Sequence, residues 1–162
     1  MEEIDKLCKM YNIKNYTINE DGSIDVDGNV DLINKGLTKL PLKFNKVNGS
    51  FHCNGNNLTT LKGSPKYVGI DFYCYENSLS SLKHSPEYVG GLFSCTSNII
   101  TSLVYSPKKV MDVFYCHDNK LNNLCGIGEV DYIFSDILIG DMNDINEHIL
   151  EIKLKRLINE YK

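Results

Sequence analysis

A repeat of 21 residues constrains this chain more than any other feature of its sequence. The unit reads F-x-C-x-x-N-x-L-x-x-L-x-x-x-P-x-x-V-x-x-x, and it holds its register over three or four copies. Such a repeat is typical of a solenoid, in which each coil buries its apolar side only against neighbouring coils. The repeated residues are Phe51, Phe72, Phe93 and Phe114; Cys53, Cys74, Cys95 and Cys116; Asn56, Asn77, Asn98 and Asn119; Leu58, Leu79, Ile100 and Leu121; Leu61, Leu82, Leu103 and Leu124; Pro65, Pro86 and Pro107; and Val47, Val68, Val89 and Val110.

Each repeated residue type has a structural role. The spacing of F-x-C places both side chains on one face of a short strand. The asparagine follows where the chain must turn, so its amide can bond backbone groups there, and stacked copies are expected to form a ladder. The leucines and the valine then supply further inward contacts, and the proline fixes the backbone at the start of the return path.

Degenerate copies extend the repeat at both ends. Val26, Val30 and Leu32 stand 21 residues before the repeat valine, phenylalanine and cysteine, which predicts a first coil over about residues 16–36. At the other end the spacing shortens to 20 residues, with Phe134 in place of the phenylalanine and Asp136 in place of the cysteine. We therefore predict a closing strand near residues 132–139.

Amphipathic segments flank the repeats and are expected to cap the solenoid. Ile4, Leu7, Cys8 and Tyr11 share one face of a short predicted helix, and the apolar stripe after residue 140 predicts a second helix. The predicted organisation is an N-terminal capping helix at 1–15, a solenoid of about five to six coils at 16–139, and a C-terminal capping helix at 140–162.

The repeat resembles known repeat families. F-x-C-x-x-N-x-L is similar to the L-x-L-x-x-N-x-L core of leucine-rich repeats, and residues 37–41 (L-T-K-L-P) resemble the short bacterial repeats of secreted effectors. The likeness covers about residues 30–125. It departs at the proline, which lies four residues after the second leucine, and at Gly69, Gly90 and Met111, where leucine is usual. The variant L-x-G-x-P-x-x-V-G-G-D-F-x-C-x-x-N resembles repeat proteins of bacteriophages and other viruses of AT-rich microbes.

The resemblance implies a fold and a type of function. The expected fold class is an α/β solenoid, a short leucine-rich-repeat-like coil with a parallel β-sheet face and capping helices at both ends. Parallel β crossovers make the coil right-handed. Because the sheet face of leucine-rich repeats commonly serves for binding, the outward positions of the strands are the candidate site.

Six cysteines raise the question of a zinc site or a disulfide. Four of them repeat every 21 residues, so their thiols are expected in a line, about 4.8 Å apart. A line of sulfurs cannot converge on one tetrahedral ion. We therefore interpret all four as core residues. Cys8 and Cys125 lie outside the line, and packing in the interior is expected for them too.

Residues 21–31 carry four aspartates around two glycines and invite comparison with a calcium loop. An EF-hand requires a bidentate glutamate at its twelfth position and a helix on each side. Asn34 stands at that position, and the flanks read as strands. The alternation of apolar and acidic residues over 24–27 favours a half-buried strand pair with glycine turns.

No catalytic motif is evident. His52, His84, His117 and His148 are scattered, and neither a nucleophile elbow nor a glycine-rich phosphate loop occurs. We expect no catalytic residue, no cofactor and no metal site, which makes an enzyme the remotest alternative.

The informative positions are those that alternate with the inward phenylalanine and cysteine. Stacked in register they carry several aromatic side chains, which are enriched in tight protein interfaces. A second ladder, with Tyr67 and Tyr88, lies on the return path and is interpreted as structural. The predicted partner-binding residues are His52, Asn54, Asp71, Tyr73, Tyr75, Ser94, Thr96, Tyr115 and His117.

These features predict a non-catalytic protein-binding module. A net charge of −4 argues against nucleic acid as the partner, and no apolar run is long enough for a membrane span. The acidic N-terminus has no signal-like apolar stretch, so we expect a cytoplasmic monomer. The resemblance implies a phage-encoded protein that binds and inhibits a host protein, such as a defence component, in the host cytoplasm. The alternative is a structural or assembly module.

Overall fold

Short strands recur along the chain at the spacing of the sequence repeat, in a computed structural model that describes residues 2–136. One helix, α1 (Glu2–Met10), precedes eleven strands. The strands are β1 (Tyr16–Ile18), β2 (Ile24–Val26), β3 (Val30–Asp31), β4 (Phe44–Val47), β5 (Phe51–His52), β6 (Tyr67–Val68), β7 (Phe72–Tyr73), β8 (Tyr88–Val89), β9 (Phe93–Ser94), β10 (Lys109–Tyr115) and β11 (Glu129–Phe134).

Each coil contributes two strands, and each strand pairs in parallel with its equivalent in the next coil. One ladder runs through β2, β4, β6 and β8, the other through β3, β5, β7 and β9, and both meet in β10, which also pairs with β11. The antiparallel pair β1–β2 is the exception within residues 2–136. The result is a β-solenoid of about five turns with a period of about 21 residues, as the repeat predicts.

The interior is built from stacked copies of the repeat residues. Phe72 lies between Phe51 and Phe93 with ring centroids 5.4 and 5.3 Å away and ring planes within 6° and 5° of parallel. The three rings are fully buried. Burial of a side chain of this size stabilises the fold by about 1.5–3 kcal/mol, so the aromatic stack is a main source of contact between coils.

The repeat asparagine joins each coil to the one before it. The amide nitrogen of Asn98 donates to the carbonyl oxygens of Cys74, in the preceding coil, and Cys95, in its own coil, both at 3.1 Å. Its Oδ1 accepts from the backbone N–H of Leu79 at 2.9 Å. Asn56, Asn77 and Asn119 bond in the same way. The predicted asparagine ladder is therefore confirmed.

Three residues before the repeat phenylalanine, Gly69 and Gly90 stand where leucine is usual, because the backbones of neighbouring coils touch at this position. A Cβ atom added to Gly90 would lie 2.1 Å from the carbonyl oxygen of Gly69. The next coil has Met111 at this position, where the chain instead follows the long strand β10. The pairing of β10 with β11 shifts register between Val110 and Val113.

The predicted α/β class is not supported by the described part of the chain, which is a β-solenoid with the single short helix α1. The segments between the repeat asparagine and proline, which carry helices in many leucine-rich repeats, contain turns and bends and no helix. They are too short for a stable helix, because a nucleated helical turn needs further residues to propagate. The C-terminal capping helix predicted at 140–162 lies outside the described residues.

The N-terminal end agrees with the sequence-based expectation. Helix α1 buries Cys8 completely and packs Ile4 and Leu7 against the core. The hydroxyl of Tyr16 in β1 donates to Asp5 of the helix at 2.6 Å, and this bond raises the pKa of Tyr16 to about 12. Strand β2 then starts the first coil and pairs in parallel with β4, with a register shift between Ile24 and Asp25.

The last coil differs from the prediction by one residue. Phe134 does not take the place of the inward phenylalanine, because Ile133 does. Phe134 pairs with Tyr115 and points outward, and the buried residue after it is Ser135 rather than Asp136. The cause is the bulge in β10, whose extra residue has no counterpart in β11.

Candidate partner-binding face

The parallel register collects outward side chains into columns that cross the coils. One column takes the residue after the inward phenylalanine, and a second takes the residue after the inward cysteine. Asp71 comes from a third column, directly before the phenylalanine. The first column is Asp31, His52, Tyr73, Ser94, Tyr115 and Phe134. By the repeat spacing, the second is Asn54, Tyr75, Thr96 and His117.

Three aromatic rings meet at the N-terminal end of these columns. Tyr73 makes edge contacts with His52, at 5.0 Å between ring centroids, and with Tyr75, at 6.0 Å and a ring angle of 89°. All three side chains are half-buried, so each exposes part of its ring to solvent. The sequence prediction placed these residues together, and the structure does so too.

A second group of rings lies at the other end. Tyr115 contacts His117 with centroids 6.1 Å apart, and it stacks on Phe134 at 5.1 Å. Phe134 is 54% exposed, and Tyr132 on the same strand is 67% exposed. Sequence reasoning missed both residues because it assigned Phe134 to the core. The alternation Y-I-F, with a smaller apolar residue between two aromatic ones, was the available signal.

Asp71 forms hydrogen bonds both with Tyr73 in its own coil and with the backbone of the next coil. Its Oδ1 accepts from the backbone N–H of Leu92 at 2.8 Å, and its Oδ2 accepts from the Tyr73 hydroxyl at 3.4 Å. Partial burial raises the pKa of Tyr73, and the charge of Asp71 raises it further by a smaller amount. Tyr73 therefore stays a neutral phenol at physiological pH, with its hydroxyl directed at the carboxylate.

Small polar residues separate the two aromatic groups. Ser94 and Asn54 are 6% and 5% exposed, so these two predicted site residues offer little contact area. The Ser94 hydroxyl lies 3.3 Å from that of Thr96, which lies 3.5 Å from Nδ1 of His117. We define the aromatic face as the exposed rings on either side of this polar strip. It consists of His52, Tyr73, Tyr75, Tyr115, His117 and Phe134.

The tyrosines of the return path form a separate ladder. Tyr67 and Tyr88 stack with centroids 5.0 Å apart and planes 4° from parallel, and the Lys46 ammonium lies 5.4 Å from the Tyr67 ring centroid. They belong to β6 and β8, not to the strands of the aromatic face. They are therefore a matched set of controls for the face.

The cysteines offer no reactive thiol in the core. All six are free, the four repeat cysteines are buried, and burial raises the pKa of Cys74 and Cys95 well above the ordinary value. Cys8, which belongs to helix α1, is buried as expected. Cys125 is exposed, which contradicts the expectation that it packs in the interior. A short loop, and not a core strand, carries it.

In the acidic segment near the N-terminus, β2 forms an antiparallel pair with the preceding strand β1, whereas β3 pairs with β5. The carboxylates of the segment accept hydrogen bonds. Asp21 accepts from Lys43 at 2.6 Å, and this contact holds its pKa well below the ordinary value. Asp25 accepts from the amides of Asn19 and Asn45 at 3.1 and 2.8 Å. Within residues 2–136 no group of three or more His, Cys, Asp or Glu side chains is arranged to hold a metal ion.

Comparison of the chain with protein-family models, curated proteins and solved structures gives no match. No helix within residues 2–136 is long and apolar enough to cross a bilayer. The assignment of a function therefore rests on the geometry of the chain itself.

Proposed function

We propose that the chain is a non-catalytic protein-binding module and that the aromatic face binds its partner. The observation that carries this proposal is the pair of partly exposed ring clusters, centred on Tyr73 and Tyr115, on one side of the sheet. Such side chains bury a large area at little cost in rotamer entropy, which is why they dominate the binding energy of many interfaces. Thr96, in the polar strip between them, is partly exposed and supplies a hydroxyl group for hydrogen bonds.

We further propose that the partner is a host protein and that binding inhibits it. This part rests only on the resemblance of the repeat to bacteriophage proteins, which also motivates the proposed action as a monomer in the host cytoplasm. An inhibitor of this kind forms a complex of fixed stoichiometry with one protein. A structural or assembly module, in contrast, associates with copies of itself or with particles.

The test pairs substitutions on the two tyrosine ladders. The tagged chain is used to capture proteins from host cells, and the affinity of the captured partner is then measured by calorimetry. Tyr73→Ala and Tyr115→Ala are each expected to weaken binding by about thirtyfold, which corresponds to about 2 kcal/mol for a central interface residue. Tyr67→Ala and Tyr88→Ala are expected to bind as the unchanged chain does.

Melting temperatures separate binding from folding. Tyr73→Ala should melt close to the unchanged protein because its ring lies outside the core, and Tyr115→Ala should melt only about 2–4 °C lower because it also loses the stack on Phe134. If only Tyr67→Ala and Tyr88→Ala abolish binding at unchanged stability, the interface lies on the return path and the proposed face is wrong. Concentration-dependent self-association in light scattering, without capture of another protein, would support the assembly module instead.

A further inference from the structure

A groove of about 800 Å³ lies away from the aromatic face, on the loops that lead into the return path. Its lining comes from successive coils, at residues 39–44 and within 60–66 and 84–87. These segments lie around the repeat proline, whereas the aromatic face comes from the strands that carry the inward phenylalanine. The groove and the face are therefore independent surfaces.

The groove exists because one column of the solenoid lacks a side chain. At the 21-residue spacing the column contains Leu42, Gly63, His84 and Tyr105. Gly63 has a φ of +99°, and a Cβ atom added there would lie 2.8 Å from the carbonyl oxygen of Leu42. Gly63 is the member of this column without a side chain, which leaves a gap between Leu42 and His84, both of which line the groove.

The rim of this gap carries an excess of positive charge. Four exposed lysines line it, Lys39, Lys43, Lys62 and Lys66, against a single carboxylate, Glu87. Lys43 is paired with Asp21 and Glu87 with Lys108, each at 2.6 Å. The other three lysines form no ion pair with residues 2–136. This cluster stands out on a chain whose net charge is −4.

The interior of the groove is chemically different from its rim. Apolar atoms form most of the lining, with Leu40, Leu42 and the ring of Pro65 among the contributing residues. A site for a bare phosphate would instead surround the anion with N–H donors, and a nucleic-acid site would follow the phosphates with a continuous basic stripe. Lysines around an apolar gap match carboxylates placed around an apolar side chain.

We propose that this groove binds an acidic peptide segment of a partner protein, with an apolar side chain of that segment in the gap beside Gly63. The exposed lysines pair with the carboxylates that flank the apolar residue. The charge complementarity steers the segment to the groove, and burial of the apolar side chain holds it there.

The probe for the test is a fluorescein-labelled peptide of glutamates around two leucines, titrated with the 162-residue chain and followed by fluorescence anisotropy. Binding is expected at low salt and should weaken as sodium chloride screens the charges. The double variant Lys39→Glu/Lys62→Glu should bind at least tenfold more weakly. Lys120→Glu, an exposed lysine outside the groove, should not change the affinity, and circular dichroism confirms that each variant is folded.

Two further probes test the class of ligand. Replacement of the leucines by serines should weaken binding at least fivefold, and a single-stranded oligonucleotide of similar charge should bind no better than this serine peptide. The proposal is overturned if the leucine peptide does not bind, if Lys120→Glu weakens it as much as the double variant, or if the leucine-free peptide or the oligonucleotide binds equally well. Tyr73→Ala should bind the leucine peptide normally, which keeps this test separate from that of the aromatic face.

Discussion

Tyr115 lies flat against Phe134, with ring centroids 5.1 Å apart and ring planes 14° from parallel. The contact joins β10 to β11 on the outer surface of the sheet, above the inward pair of Phe114 and Ile133. It continues on the outside the stacking that the buried phenylalanines show inside. Because both rings are partly exposed, the contact can be removed without opening a cavity in the core.

A double-mutant cycle measures this contact. Phe134→Ala and Tyr115→Ala are each expected to lower the free energy of unfolding by about 1 kcal/mol, with a coupling of about 0.5–1.5 kcal/mol between them. The measurement is urea unfolding of the four proteins in the cycle. A coupling near zero would show that the rings contribute to stability independently of each other.

The asparagine ladder predicts a large effect from a small substitution. Asn98→Ala removes donors to Cys74 and Cys95 and the acceptor for the N–H of Leu79, all in a buried setting. Leaving such groups unpaired should lower the free energy of unfolding by about 3 kcal/mol. Asn57→Ala, at an exposed position, is the control and should change it by less than about 0.5 kcal/mol. Similar losses in both variants would show that the ladder bonds add little.

The backbone at the proline loop predicts a stabilising substitution. Tyr105 has a φ of +79° and its side chain is 60% exposed, while the equivalent residue two coils earlier is Gly63. A non-glycine residue in this region costs about 1–3 kcal/mol, and glycine costs about 0.5–1 kcal/mol in entropy. Tyr105→Gly should therefore raise the free energy of unfolding by about 1 kcal/mol.

Gly63→Ala makes the opposite change at the equivalent position two coils earlier. It introduces a Cβ atom at a left-handed position, 2.8 Å from the Leu42 carbonyl oxygen, and should destabilise the fold. Both variants are compared by thermal and urea unfolding. A destabilised Tyr105→Gly protein would indicate that the exposed ring makes a stabilising contact that outweighs the backbone strain.

The buried thiols predict a loss of stability at alkaline pH. Burial holds the pKa of Cys74 and Cys95 well above the ordinary value of 9.0 and raises that of Cys116 to about 11. The stability contributed by these protonated thiols is fully present below pH 9. Above pH 9 the unfolded chain releases the thiol protons while the folded chain keeps them, so this stability is lost as the pH rises. Each such thiol should lower the free energy of unfolding by about 1.4 kcal/mol per pH unit in that range.

The slope of stability against pH between about pH 9 and 10 is measured by urea unfolding. Cys74→Ala should reduce this slope by the contribution of one thiol. The reduction is expected even if the substitution also changes the free energy of unfolding at neutral pH. Ser80→Ala, a change at an exposed residue without an ionisable side chain, is the control and should leave the slope unchanged. An equal slope in all three proteins would contradict the assignment of the repeat cysteines to a low-dielectric core.

The repeat pattern sufficed to predict the period, the inward residues and the asparagine ladder, because a solenoid places equivalent residues in equivalent surroundings. The assignment failed where the period changes. From Val110 to Val130 the spacing is 20 residues, and from Phe114 to Ile133 it is 19. The sequence shows that the repeat has become shorter, but it does not show where along β10 the register shift falls. For this reason the sequence pattern places Phe134 on the inward face, whereas its side chain points outward.

The candidate sites were predictable to different degrees. The columns of Tyr73 and Tyr115 follow from alternation along a strand, whereas the burial of Ser94 depends on the larger side chains beside it. The groove beside Gly63 was not foreseen, because it depends on how the loops of successive coils stack around that position. Such features depend on backbone conformation, which residue spacing alone does not report.

The bonds of the asparagine ladder connect each coil only to its immediate neighbours. Each coil is consequently a unit by which the solenoid can be lengthened or shortened. An added copy of 21 residues would find in its neighbours the partners that existing coils already use, and it would lengthen the molecule by about 4.8 Å without changing the cross-section. Duplication and deletion within the gene can thus alter the size of the outer surface while the interior needs no redesign, and each new copy brings outward positions that are free to diverge.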